Sequence, residues 1–591
     1  MGQAIRPSQF ILTYGVGSII EALKGPRLVP IFEKWDFSRT VFGSSSSLAR
    51  FRIDAPNATA QLNGGEIFEM PTNPQFDLST SKPLFRTFRF PHWALCQHHN
   101  ILYQLGNHGK SNCPKCGNKT VDAQDEAIRF VRACPNGHLD DVDWRGAVHG
   151  GRACAGDTFD WVVDTGSDLK SVRIRCRTCN AEVNLLDVYY RTSECSGHFP
   201  EGGKIEPCSE KASVVLRSAT SLRIAEIVTS ITVPPPALKI HGLLSQPAIG
   251  KGLLSLASSG KNPKSDLLNY LRTIASTSPD QIDPATIDEI ECTPSNEVEQ
   301  AIKDLLAPME GNKSVEQVKD EELVAFQDAA QHGFPLQLSP GPLFEVDVNA
   351  VIRMSHPSGL TFRITPVKRL KVVMVQRGYR RPVRGSTYDD GQPIRLVETF
   401  IMKDNKRWYP GVALQGEGIF IDLIGTGPYL EEQRAKLWLD REKKLYGSPG
   451  AYLCNPIFVW WHTLAHRLIN ALSVDSGYSS AAIRERVYFR EKTASSPPLG
   501  GILIYTSQQG SDGSLGGLIA LCSQNDFRRV MAAAERNLTS CSNDPLCSEH
   551  LERNNGAACY ACLLISETSC ECHNTYLDRL LLAGNLGGFV S

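Results

Sequence analysis

No run of about 18 apolar residues, the length a membrane-crossing helix needs, occurs in this 591-residue chain. The opening residues, Met-Gly-Gln-Ala-Ile-Arg, lack the apolar core of a signal peptide. Both absences point to a cytoplasmic protein. There is almost no net charge: the formal value is −1, so any contact with nucleic acid must use a local patch. No Walker A loop, kinase motif set or G-x-S-x-G elbow appears, so an energy-using step must belong to a partner. What the chain has in quantity is cysteine, 18 residues in all. A reducing compartment disfavours disulfides, so the thiols read as metal ligands.

Three C-x2-C pairs stand out: Cys113/Cys116, Cys176/Cys179 and Cys559/Cys562. Two intervening residues let both thiolates reach one ion from a tight turn, which is half of a tetrahedral zinc site. The first predicted site joins Cys96-x2-His99 to Cys113/Cys116. His98 competes with His99, while His92 and His108 read as surface residues. Between 134 and 208 the ligands Cys134, His138, His149, Cys154, Cys176, Cys179, Cys195 and Cys208 suffice for two more ions. The preferred pairing is His149/Cys154 with Cys176/Cys179, and Cys134/His138 with Cys195/Cys208. The swapped pairing stays open, as does His198 in place of either histidine. Near the end, Cys559, Cys562 and Cys570 with Cys547 form the expected fourth set. Cys541 is its alternative fourth ligand and Cys572 an unplaced thiol. Clustered thiolates also suit iron–sulfur centres, but nothing in the sequence calls for redox chemistry. Cys292, Cys454 and Cys522 are isolated and read as core residues. About four structural zincs are expected.

Length suggests three or four domains, at roughly 100–200 residues each. The expected fold is a multidomain mixture of α+β and α/β parts, with small zinc-stapled modules in the N-terminal half. Segment 1–90 is mixed, with a tight turn at Gly15 and Gly17 and a loop at Ser44–Ser47. The multi-zinc module is 91–210. A helical linker domain is expected over 211–345; Val214–Ile231 reads as one buried element and Val315–Ala330 as a helix. The C-terminal domain is 346–591, with strands at Leu370–Val375, Gly418–Asp422 and Gly501–Tyr505 and helices at Phe458–Leu472 and Asp526–Asn537.

Two stretches invite a catalytic reading. His462 and His466 share one helix face, but Thr463 stands where H-E-x-x-H needs glutamate, which favours a core role. A Gly/Ser loop follows Tyr505 and contains Asp512; it lacks the phosphate-binding lysine and glycine spacing, which favours a structural loop. From Arg363 to Arg384 there are eight basic residues and no acidic one. Arg369, Lys371, Arg377, Arg380, Arg381 and Arg384 are candidate phosphate contacts, and Tyr379 a candidate base-stacking residue. The alternative is a sheet face opposite an acidic neighbour.

Several ordered motifs carry a family resemblance. They are Arg6-x-Ser8-Gln9 with Tyr14-Gly15-x-Gly17, Ala133–Asp141 with Trp144, and Gln376-Arg377-Gly378-Tyr379-Arg380. Further on come His462–His466, Gly510–Gly517, Asp544–Cys547, Gly556–Cys562 and Leu577-Asp578-Arg579. On these residues the chain resembles the DrmB family of DISARM anti-phage defence. Its end is similar to the cysteine-bearing domain of MrfA-type helicases, where a C-x2-C pair and a cysteine before Leu-Asp-Lys help hold metal. Cys559, Cys562 and Cys570 match those places; Arg579 replaces the lysine. The resemblance implies a non-catalytic, DNA-binding adaptor that docks on a superfamily-2, DrmA-like helicase. DNA with a single-stranded portion and a DNA methyltransferase of the same system are the other implied partners. The rivals are a nuclease or hydrolase using His462, His466 and Asp512, and a scaffold without nucleic-acid contact.

Overall fold

The computed structural model describes residues 5–22, 25–35, 50–76, 83–105, 113–116, 127–166, 168–233, 244, 249, 263–277, 284–295, 298–299, 302, 313–334, 344–382, 394–425, 433–445, 450–490, 499–508, 515–549 and 554–586. Helices and strands are mixed along the chain. Two compact units share it in alternating segments. One comprises Met1–Asp54, Gly64–Thr229 and Met374–Val412; the other comprises Ala55–Asn63, Ser230–Val373 and Ala413–Ser591.

The first unit is built on small antiparallel sheets. Five strands lie in the order Glu182–Asn184, Val172–Cys176, Phe159–Val163, Ile101–Gln104 and Trp93–Cys96. Four more lie in the order Thr192–Glu194, Lys211–Leu216, Phe130–Ala133 and Leu139–Asp141. Strands of three to six residues bury little apolar area each. Their main shared core holds Trp93, Phe130, Trp144 and Phe159. Sheets this small need extra staples, and cysteines stand at the strand ends where a staple would act.

The expected single buried element at 214–231 is two strands, Lys211–Leu216 and Ile224–Thr232. Arg217 marks the break. Its guanidinium donates to the carbonyls of Ala127 and Ile128 and pairs with Glu21, anchoring the chain where the first strand ends. The expected turn at Gly15 and Gly17 is present, and its purpose is close approach. Gly17 has φ +79°, and a Cβ there would sit 2.9 Å from the Tyr379 ring. A Cβ on Gly15 would lie 2.5 Å from the Gln376 amide. Ser44–Ser47 lies outside the described residues.

The second unit is organised around the helix Pro456–Asp475. Asn455 caps it, its side-chain oxygen accepting from the Ile457 amide, and Pro456 occupies the first turn where no amide partner is needed. Residues Phe458 to His466 are all buried, so the helix is enclosed on every side. It packs on the strands Ile483–Arg490 and Leu499–Gln508 and on the helices Gln524–Glu535 and Arg579–Leu586. The two strands pair antiparallel, Ile483 opposite Thr506 and Arg490 opposite Leu499. Leu499–Gln508 also pairs with Gln415–Asp422. The helix Val315–His332 begins with a Ser314/Gln317 capping box. It buries Glu322 against Arg486, Tyr488 and the Ile231 amide. Such a carboxylate is tolerated in a core only because every neighbour answers it.

Candidate metal centres

Four groups of side chains converge with the ligand types of structural zinc. Bond lengths of about 2.0–2.3 Å to a tetrahedral ion put ligand atoms about 3.3–3.8 Å apart. A disulfide would put sulfurs about 2.05 Å apart. The observed spacings fall close to the first range, and all the cysteines are free.

In the first group, Cys96 ends one strand of a hairpin and His99 sits in its turn, while Cys113 and Cys116 come from a second turn. Nδ1 of His99 lies 3.5 Å from Cys96 Sγ, 3.7 Å from Cys113 Sγ and 3.3 Å from Cys116 Sγ. His98 is not a member. Burial, and then the neighbouring thiols, push Cys116 up to about 12. Packed thiols resist joint ionisation, and a cation is what removes that resistance.

The second group is Cys134, His138, Cys195 and Cys208. Cys134 closes the strand Phe130–Ala133 and His138 opens the strand Leu139–Asp141, so one hairpin turn supplies both. His138 Nδ1 lies 3.2 Å from Cys134 Sγ and 3.4 Å from Cys195 Sγ. Its Nε2 faces Glu206 Oε1 at 3.0 Å. That is the carboxylate–histidine relay that fixes a ligand's tautomer. Sequence reasoning missed Glu206; its place two residues before Cys208 is the only signal for it.

The third group is His149, Cys154, Cys176 and Cys179. His149 ends the helix Trp144–His149, and its Nδ1 faces the Arg145 carbonyl at 2.9 Å. Its Nε2 is buried without a hydrogen-bond partner, as a ligand atom awaiting an ion would be. Amides of Gly156 and Thr178 donate to Cys154 Sγ and Cys176 Sγ. Burial opposes ionisation of Cys176, but the Cys179 amide first, then the nearby His149 imidazole and the Thr178 amide, bring it down to about 6. A Cβ on Gly156 would stand 2.6 Å from Cys176 Sγ, so glycine is required there.

The fourth group is Cys541, Cys547, Cys559 and Cys562. Sulfur separations are 3.5 Å for Cys541–Cys559, 3.7 Å for Cys547–Cys562 and 3.7 Å for Cys559–Cys562. Cys570, expected here, lies elsewhere, and Cys541 takes its place. The reason is that Asn574 and Cys570 are folded back toward the helix Pro456–Asp475: Cys570 Sγ is 3.2 Å from His462 Nε2 and accepts from the Asn574 amide. His462 and His466 are both fully buried, beside Glu485. Asp512 lies outside the described residues.

The basic strip is largely answered by carboxylates. Its residues from Arg363 to Arg380 lie on the strand Thr361–Arg380, longer than expected. Arg363 is buried and pairs with Asp422 through both carboxylate oxygens, at 2.9 and 2.5 Å. Arg369 faces Glu345 at 3.6 Å, Arg377 faces Glu398 at 3.4 Å and Arg380 faces Glu226 at 3.0 Å. Tyr379 and Arg381 are fully buried and offer nothing to DNA. Tyr379 hydrogen-bonds Glu201, and its ring carries the Arg381 guanidinium 4.5 Å from its centre. Arg381 donates to the carbonyls of Gly17, Gly137 and Leu222. Sequence alternation could not reveal this, because the partners come from distant segments. Lys371 is half-buried and Arg384 is outside the described residues. Beside Lys368 and Arg369 a cleft of about 460 Å³ is lined also by Glu345, Glu417 and Gly516.

A family model described as a domain of unknown function, DUF8724, matches residues 6–224, and a model described as the MrfA Zn-binding domain matches residues 464–563. The latter contains all four thiols of the fourth group and stops before Cys570. A curated relative, "DISARM protein DrmB" of Bacillus paralicheniformis, is 29% identical over 503 residues, 80% of this chain and 82% of its own. The chain resembles DrmB across four-fifths of its length. A solved structure, the DUF1998 helicase MrfA bound to DNA, aligns with 37% of this chain and 22% of its own, at 10% identity and a TM-score of 0.18. Three of the motifs that carry the resemblance meet in space: Gly17 and Gly137 lie against Tyr379 and Arg381, at the end of the Gln376–Arg380 stretch. No helix among the described residues is long and apolar enough to cross a membrane.

Proposed function

We propose that this chain is a zinc-stapled, non-catalytic subunit of a DISARM-type defence complex that holds DNA beside a superfamily-2 helicase. The observation that carries the reading is the closed character of the four Cys/His groups in a chain similar to DrmB. Each supplies four ligands and leaves no position for a reacting molecule, so its metal would hold shape. About four zincs would stiffen sheets and turns too small to hold alone. The hydrolase reading is disfavoured by the complete burial of His462 and His466, which places them out of a substrate's reach.

Among the strip's cations, Arg369 and Lys371 are the best DNA candidates. They stand two apart on one strand, and the Arg369 side chain is 55% exposed. A pair as open as Arg369–Glu345 is worth about 0–1 kcal/mol, so phosphate can displace the glutamate. A second reading, a scaffold without nucleic-acid contact, is favoured by the carboxylates facing Arg369, Arg377 and Arg380.

The test is DNA binding across a salt series, with and without the helicase, for wild type and for Arg369→Ala/Lys371→Ala. The adaptor reading expects weaker binding and a salt slope shallower by about 1 for each phosphate no longer neutralised. Unchanged affinity and slope would favour the scaffold.

A further inference from the structure

A fifth constellation lies in the second unit, apart from the four cysteine-rich groups. His462 and His466 project from adjacent turns of the helix Pro456–Asp475. Glu485 projects from the strand Ile483–Arg490, and Cys570 from the segment that follows the fourth group. Glu485 Oε1 is 2.8 Å from His462 Nε2, and Glu485 Oε2 is 3.4 Å from His466 Nε2. One ligand atom from each of the four side chains lies within 4.8 Å of every other.

Three features distinguish this cluster from an ordinary buried polar network. First, both imidazoles are oriented from behind. Nδ1 of His462 faces the Tyr576 carbonyl at 3.2 Å, and Nδ1 of His466 faces the Leu563 carbonyl at 2.9 Å. A carbonyl only accepts, so each Nδ1 carries a proton, which leaves Nε2 as the nitrogen through which each ring can meet a metal. At His462 that nitrogen now hydrogen-bonds the Glu485 carboxylate, a contact a bound metal would replace. Backbone oxygens holding the far nitrogen are how proteins set a metal-binding histidine. Second, His466 Nε2 and Glu485 Oε2 are fully buried and make no hydrogen bond. Two orphaned acceptors facing each other are unfavourable without something positive between them. Third, Cys570 Sγ accepts from the Asn574 amide, the same amide-to-sulfur bond found at Cys154 and Cys176.

Charge leads to the same conclusion. Two neutral imidazoles, one carboxylate and one thiolate sum to −2. A divalent cation brings the buried cluster to zero, whereas without one the carboxylate has only protonated His462 and His466 to answer it, at the cost of charging buried imidazoles. Mixed nitrogen, sulfur and oxygen donors in a closed set of four suit zinc. We propose that His462 Nε2, His466 Nε2, a Glu485 oxygen and Cys570 Sγ hold a fifth zinc ion, a closed centre that ties helix, strand and C-terminal segment together. None of these ligands belongs to the other four groups, so the fifth centre stands or falls independently of them.

The direct test is anomalous diffraction at the zinc edge from crystals of the unaltered full chain. A peak bounded by these four side chains is expected, whatever the occupancy of the other groups. Ordered side chains with no peak after growth in zinc-supplemented medium would overturn the proposal. Metal analysis of full-length variants gives a second readout. Cys570→Ser and Cys541→Ser should each lower zinc by one equivalent per chain, and the double variant by two. An unchanged count in Cys570→Ser would equally refute it.

Discussion

Arg381 shows how much one buried cation organises. Its guanidinium joins three carbonyls from separate segments and lies over the Tyr379 ring, with Glu201 as its counter-charge. Truncating one partner of a buried pair leaves the other charge uncompensated, at roughly 3–5 kcal/mol. Arg381→Ala should therefore lower the denaturant midpoint of the first unit, read by tryptophan fluorescence, while Arg369→Ala should leave it nearly unchanged. Equal, small effects would show that Arg381 is not structural. Glu206 gives a second prediction at this scale. Because it orients His138, Glu206→Gln should weaken the second site about 10–100-fold in chelator competition, the range seen when outer-shell partners are removed. At Gly156 an added methyl would press on Cys176, so Gly156→Ala should release the metal of the third site faster than wild type does. These residue-level roles are only partly legible in the sequence. Ligand spacing within a turn is local, and it leads to Cys96, His99, Cys113 and Cys116 directly. Cys570 falls to the wrong neighbours on spacing because its partners, His462 and Glu485, lie far away in the chain. Tyr379 and Arg381 read as surface residues because a run of cations does not show where its carboxylates come from.

At the scale of elements, the helix Pro456–Asp475 is the piece on which the second unit depends. Its apolar run is readable as Phe458–Leu472, and the structure extends the helix at both ends, to the Asn455 cap with Pro456 and to Asp475. The Asn455 cap holds an otherwise unpaired amide, so Asn455→Ala should cost about 1 kcal/mol, measurable as a shifted melting transition. A Pro substitution at Ala465, in the buried interior, should abolish folding of the unit. Pairing among the middle half-sites is a different problem. Spacing identifies the halves, but the sheet order decides which halves meet. His149 reaches Cys176 because its helix packs beside the strand that ends there, and Cys134 meets Cys195 because their strands flank Lys211–Leu216. Similar reasoning explains why Val214–Ile231 reads as one element: the apolar pattern is nearly continuous, and the break depends on Arg217 finding carbonyls from another segment.

On the proposed reading, metal is part of the fold of the whole molecule. Small sheets with ligands at their ends have too little apolar core to persist when the ligands are released. Acidification should act in the same direction as chelation, since thiolates and imidazoles that bind metal must shed protons first. The most direct measurement of this central claim is zinc content and tertiary signal on the same full-length sample, before and after stripping with a strong chelator. At least four zincs per chain are expected, with near-ultraviolet circular dichroism that collapses as they leave and returns with added zinc. Two or fewer ions, or an undisturbed signal after their removal, would contradict a metal-dependent fold.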